Sequence, residues 1–172
     1  MGVLSGNPKD EPMHYGEIFD AWAFSAKAKG TLSFYQALLY HTGDRDLQKL
    51  IEDLIDQAKL EIKELDALLT SNGIAPAPAL PERPHARLED IPAGARFSDP
   101  EIAMMISSDL AAGMVLCSQV IGKSIREDIG ILFGKYHATR AAQASRALRM
   151  NKEKGWLVPP PLQIKRPEPA GV

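Results

Sequence analysis

The chain has a single cysteine, Cys117, among its 172 residues, so neither an intramolecular disulfide nor a cysteine zinc site can form. That usage suits a reducing compartment. Net charge is also small. A formal charge of -2 and a pI of ≈ 6.1 give no overall attraction for nucleic acid or an anionic membrane. No apolar run approaches the roughly 20 residues of a spanning helix. The opening Met1-Gly-Val-Leu-Ser-Gly6 has neither a basic-then-apolar leader nor the hydroxyl residue at position 6 of a myristoylation motif. A Gly-rich phosphate loop, a Gly-x-Ser-x-Gly elbow and a cysteine–histidine pair with an orienting group are missing too, so no motif marks a reaction class. The expectation is a cytoplasmic chain that engages neither nucleic acid nor membrane. The late cluster Lys135, Arg140, Arg146, Arg149, Lys152 and Lys154 fits this, since helix C-termini favour cations.

With 45% hydrophobic and 24% charged residues, the chain suits one compact domain over 1–172. Its periodicity is helical throughout. The first helix is expected over about 14–41 and the second over 44–72, capped by Asp44 and stopped by Asn72-Gly73. The short connection makes them antiparallel. Leu47, Ile51, Leu54, Ala58, Ile62, Leu65 and Leu69 form the apolar stripe of the second helix. From 73 to 98 the prolines Pro76, Pro78, Pro81, Pro84 and Pro92 exclude a regular helix. Extended at roughly 3 Å per residue, this segment can cross a bundle whose helices of about 25 residues are near 37 Å long. A third helix is expected over 99–122 behind the capping box Ser98-Asp-Pro-Glu101, and a fourth over 124–152 behind Ser124-Ile-Arg-Glu127. The tail 155–172 cannot continue it, although Trp156 and Leu157 can dock, and the ends before Glu11 and beyond Pro161 are expected to be poorly ordered. The fold class is therefore all-α: a four-helix bundle of two antiparallel hairpins joined by a long Pro-rich crossover.

Asp109 breaks the pattern. It falls near the centre of the apolar stripe Ile102, Met105, Ile106, Gly113, Leu116 and Val120, where a carboxylate needs a cation, donors or a metal beside it. Counting along the helices places Asp109 level with Arg140 and His137, and Glu61 about 10 Å lower. Asp109, Arg140, Tyr136, Gln143 and Glu61 thus form a candidate buried polar network, with Arg140 and Tyr136 as the expected partners of Asp109. Glu61 reads either as a flank residue or as one paired with a polar neighbour. His14 and Glu17 lie one turn apart on the first helix, which suits either a metal edge or N-terminal capping. The first helix is apolar nearly all round, so both its sides need cover: the tail, the crossover or a second subunit. A homodimer through Phe19, Phe34 and Leu38 is the expectation.

Several stretches together resemble an uncharacterised family from spore-forming bacteria, placed among ferritin-like proteins and distantly similar to spore coat protein F. They are His41-Thr-Gly-Asp44 with Leu47, Asn72-Gly-Ile74 with the prolines to Arg83-Pro84, Phe97-Ser-Asp-Pro-Glu101, and Gly155-Trp-Leu with its prolines. The resemblance implies a ferritin-like bundle and brings no activity. The dinuclear iron or manganese site of ferritin-like proteins uses two Glu-x-x-His pairs, and none occurs here. The first helix has no carboxylate after Asp20. The leading expectation is accordingly a cofactor-free structural or interaction protein, spore-associated, with spore coat or other protein partners. Two alternatives stand beside it. One is an altered mononuclear iron or manganese site around Asp109 and His137, with His14 and Glu17 as further candidates; the other is an apolar-ligand site lined by Met104, Met105 and Met114.

Overall fold

The computed structural model describes residues 6–163, and the expected disorder at the two extreme ends lies largely outside them. Four long helices account for most of it: α1 (Tyr15–His41), α2 (Arg45–Ser71), α3 (Asp99–Lys123) and α4 (Glu127–Glu153). No strand occurs among the described residues. The molecule is an all-α, four-helix bundle. α1 packs along α2 and α3 along α4, while α1 also touches α3 and α2 touches α4.

The helix ends explain the arrangement. Asp44 accepts the backbone N–H groups of Asp46 and Leu47 and starts α2. At its other end Gly73 adopts φ 74, a left-handed conformation that closes the helix as Ile74 N–H bonds to Leu69 O. Thr42 at the end of α1 donates to Asp99 Oδ1 at 2.6 Å and joins it to the start of α3. The crossover follows α1 between these two ends. Ala77 O accepts Lys29 Nζ, Arg83 Nε donates to Ser33 O at 2.8 Å, and the His85 ring lies 5.2 Å from that of Tyr40. The crossover therefore covers one flank of α1. The tail does not: after a turn at Gly155 (φ 71), Trp156 and Leu157 N–H groups bond to Asn151 O and the chain lies beside α3 and α4.

Two expectations need correction. The fourth helix starts at Glu127, not Ser124, and Ser124 bonds back to Val120 O instead of capping forward. α3 runs through Gly122, whose position is open and puts no stop there. Second, an 18-residue stretch of the segment Ala93–Lys123 reaches mean hydropathy 1.5, apolar enough by length and composition to cross a bilayer. Ser107-Ser108-Asp109 interrupts the apolar run, yet the average over 18 residues stays high. Only 28% of that stretch is buried, although Ile102, Ile106, Leu110, Cys117 and Val120 of α3 face the core.

That core has two parts. An upper cluster gathers Leu38, Leu47, Leu50, Ile51, Ile102, Ile106 and Leu110 with Tyr35 and Met150. A lower one gathers Ala21, Phe24, Leu65, Leu69, Cys117, Phe133 and Tyr136. Between them each helix contributes one charge, Lys27, Glu61, Asp109 and Arg140 in chain order.

Candidate functional site: a charged layer between two apolar cores

Asp109 lies where α3 turns from the core toward α1. Lys27 Nζ donates to its Oδ1 at 2.6 Å and Tyr35 OH to its Oδ2 at 2.7 Å. The side chain is 24% exposed, so the carboxylate sits at the seam of α1 and α3 and not in the centre. The expected partners Arg140 and Tyr136 are engaged elsewhere. Arg140 crosses α3 one turn below Asp109, at Gly113, and its Nη2 donates to Glu61 Oε2 at 2.7 Å. Tyr136 OH donates to Glu64 Oε2 at 2.9 Å, and Lys135 holds the other oxygen of Glu64.

Glu61 is fully buried, which corrects its reading as a flank residue. Gln57 Nε2 supplies a second donor at 3.0 Å. Burial pushes the Glu61 carboxyl up from its ordinary value, against the pull of Arg140 and Gln57. Burial likewise raises the phenols of Tyr35 and Tyr136, reinforced by the carboxylates they donate to. Arg140 is 5.2 Å from the centre of the Phe24 ring, an apolar wall that favours a cation at its face.

Depth counted on Cα positions put Glu61 well below Asp109. Side-chain length closes that gap: Asp109, Glu61, Arg140 and Gln143 line one cavity together with Lys27 and Tyr35. The cavity is about 10 Å³, room for a single water-sized body, far below the several hundred Å³ of a small-molecule site. Buried Arg140 Nε and Gln143 Oε1 make no protein hydrogen bond.

His137 is half-buried and is not part of this lining. Among the described residues no three His, Cys, Asp or Glu side chains gather as a metal-binding group. His14 and Glu17 are capping residues. His14 Nδ1 accepts Gly16 N–H, while Glu17, only 1% exposed, accepts His14 N–H through one oxygen and the N–H groups of Ile125 and Arg126 through the other. A carboxylate from α1 thus supplies the start of α4 with the acceptor that Ser124 does not provide. Cys117 is buried, and its thiol is pushed up to about 11 by desolvation, which makes it a poor nucleophile near neutrality.

Of the expected interface residues, Phe19 is 66% and Phe34 36% exposed, whereas Leu38 is fully buried in the upper core beside Tyr35. Leu38 is thereby removed from that set. Lys27 and Tyr35 are the site residues that sequence reasoning passed over. A signal existed: Lys27 and Lys29 are the sole charges between Asp20 and His41, and each pairs with a carboxylate of a neighbouring helix, Lys29 with Asp66 at 2.7 Å.

Residues 1–168 match the family described as "Protein of unknown function (DUF3231)". The chain belongs to that family. It is 49% identical over 166 residues to "Uncharacterized protein YvdQ" of Bacillus subtilis (strain 168), covering 96% of this chain and 98% of that one. It is also similar to a crystal structure from Bacillus halodurans C-125 named "putative spore coat protein", with 48% identity and a TM-score of 0.90. That match covers 92% of this chain and all of the other.

Proposed function

We propose that this family member is a non-catalytic, ferritin-like bundle that works as a structural or interaction component associated with the spore, its architecture shared at a distance with spore coat protein F. The observation that carries this reading is the likeness, at 48% identity and over nearly the whole fold, to a relative named for the spore coat. The mid-bundle chemistry is in keeping with it. Each charge in the central layer is taken up by a partner from another helix, and the cavity they line holds about 10 Å³. Such a layer fixes the register of four helices.

The test is localisation. The chain fused to a fluorescent protein in a spore-forming host should concentrate around the developing spore, and the untagged protein should co-fractionate with coat layers after alkaline extraction. A signal that stays diffuse in the cytoplasm throughout sporulation, with no protein in the spore fraction, would overturn the reading.

A further inference from the structure

The geometry points to a second copy of this chain as the occupant of the outer face of α1 and α3, docked by a two-fold axis that crosses α1 near Ala26. The inference deepens the reading of this chain as an interaction component and rests on it for its role in the cell.

On α1 the side chains turned away from both core clusters include Phe19, Trp22, Ala23, Ala26, Gly30 and Phe34, with Tyr15 and the polar Ser33 at the border, and none is charged. Phe19 is 66% exposed, Trp22 38% and Phe34 36%. The two lysines of this helix turn sideways into Asp109 and Asp66. α3 continues the face: Met104 is 61% and Val115 57% exposed, and the one charge between Glu101 and Lys123 is Asp109, already paired with Lys27. The crossover borders the face where Arg83 donates to Ser33, and the Trp156 segment borders it where Met104 lines a groove with Trp156 and Leu157; among the described residues Phe19, Trp22, Phe34, Met104 and Val115 nonetheless stay exposed.

Its area matches what a dimer needs. A helix of 27 residues is about 40 Å long, and two neighbours together span about 20 Å, giving a footprint of about 800 Å². A standard interface buries about 800 Å² per partner. Large exposed apolar faces are uncommon on monomers, and a face without charge carries no penalty for meeting its own image.

The spacing is also self-complementary. Phe19, Ala23, Gly30 and Phe34 are symmetric about the midpoint between Ala26 and Lys27. An antiparallel two-fold at that point sets Phe19 against the partner's Phe34 and Ala23 against the partner's Gly30. Ala23 and Gly30 then meet on either side of the crossing, Ala26 lies opposite the Lys27 position, whose ammonium is turned aside to Asp109, and aromatic rings close both ends. A Cβ added at Gly30 meets nothing within 4 Å, so this position is free of its own bundle.

The experiment uses the full, untagged chain at micromolar concentration in light scattering, where the expected mass is twice 18.8 kDa. Gly30→Glu should weaken association about 100-fold or more, because the carboxylate would be desolvated only in the dimer. Helical content and unfolding of the dilute chain should be unchanged or improved. Orientation is read separately: a mixture of Phe19→Cys and Phe34→Cys chains should form an intermolecular disulfide on oxidation, whereas neither variant alone should. A one-chain mass for the wild-type protein overturns the inference, as does a dimer that Gly30→Glu leaves intact. A one-chain mass together with binding to phosphatidylcholine vesicles would assign the face to lipid instead. A dimer that does not localise to the spore keeps this inference and removes the proposed function; a monomer found in the coat does the reverse.

Discussion

Arg140 occupies the space that a side chain at Gly113 would need: a Cβ there would stand 2.7 Å from Arg140 Nε and 2.9 Å from its Cδ. Only glycine lets the arginine pass α3 and reach Glu61. Gly113→Ala should therefore displace Arg140 and break the buried pair, at a cost of about 3 to 5 kcal/mol offset by about 1 kcal/mol of helix propensity. Gly122→Ala, with nothing within 4 Å, is the control and should stabilise by about 0.5 to 1 kcal/mol. Urea unfolding of both variants reads the difference, and equal effects would remove the steric argument.

The pair itself separates breaking from deleting. Arg140→Leu leaves a fully buried carboxylate without its cation, which should cost about 3 to 5 kcal/mol. Arg140→Leu combined with Glu61→Met should lie near the wild type, because two apolar side chains of similar size need no desolvated partner. A double variant as unstable as the single one would show that the ion pair contributes net stability.

Acid and neutral pH act with opposite sign on Asp44 at one end of the bundle and on Glu61 in its central layer. Asp44 is held below its ordinary value, first by the hydrogen bond from Lys154, so its stabilisation is present above the unfolded pKa of about 3.9 and is lost as pH falls through the folded value. Asn also caps helices, so Asp44→Asn keeps the cap and removes the ion pair. It should cost about 0 to 1 kcal/mol at pH 6, with the difference vanishing below the folded pKa. Glu61 is raised, so its stabilising share is complete below about 4.3 and is lost as pH rises through its folded pKa. Glu61→Gln should consequently gain on the wild type over that rise, whatever constant offset it carries. Melting temperatures across pH 3 to 7, roughly, would show the two slopes; parallel curves would contradict them.

Much of the fold was legible in the sequence because its signals are local. Asp44, the Asn72-Gly73 turn and the Ser98 to Glu101 box act within a few residues of themselves. The central layer is legible in composition but not in pairing. Asp109 marks itself as a charge in an apolar stripe, yet which cation reaches it depends on helix rotation and on the missing side chain at Gly113, both set by packing between distant segments. Leu38 shows the same limit on α1: on a helix apolar nearly all round, hydrophobicity cannot say which face is inside. The start of α4 misled because Ser124 to Glu127 matches a capping box, while the acceptor comes from Glu17, over a hundred residues earlier.

That long-range cap gives a last expectation. Glu17 is 1% exposed and takes three backbone N–H groups, at 2.8 Å from Ile125, 2.9 Å from Arg126 and 3.1 Å from His14. Glu17→Ala leaves all three donors without their acceptor at once, inside a site that water reaches poorly, and a buried unsatisfied group costs about 1 to 3 kcal/mol. The loss should be about 3 kcal/mol, larger than the roughly 1 kcal/mol of an ordinary cap. Glu17→Gln retains one acceptor oxygen and should lose about half as much. Hydrogen exchange locates the effect: amides in the first turns of α1 and α4 should lose protection in Glu17→Ala, while those of α2 beside the upper core should change only as far as global stability does. Uniform loss across all four helices, or no loss at α4, would mean that the turn from α3 to α4 holds without the carboxylate.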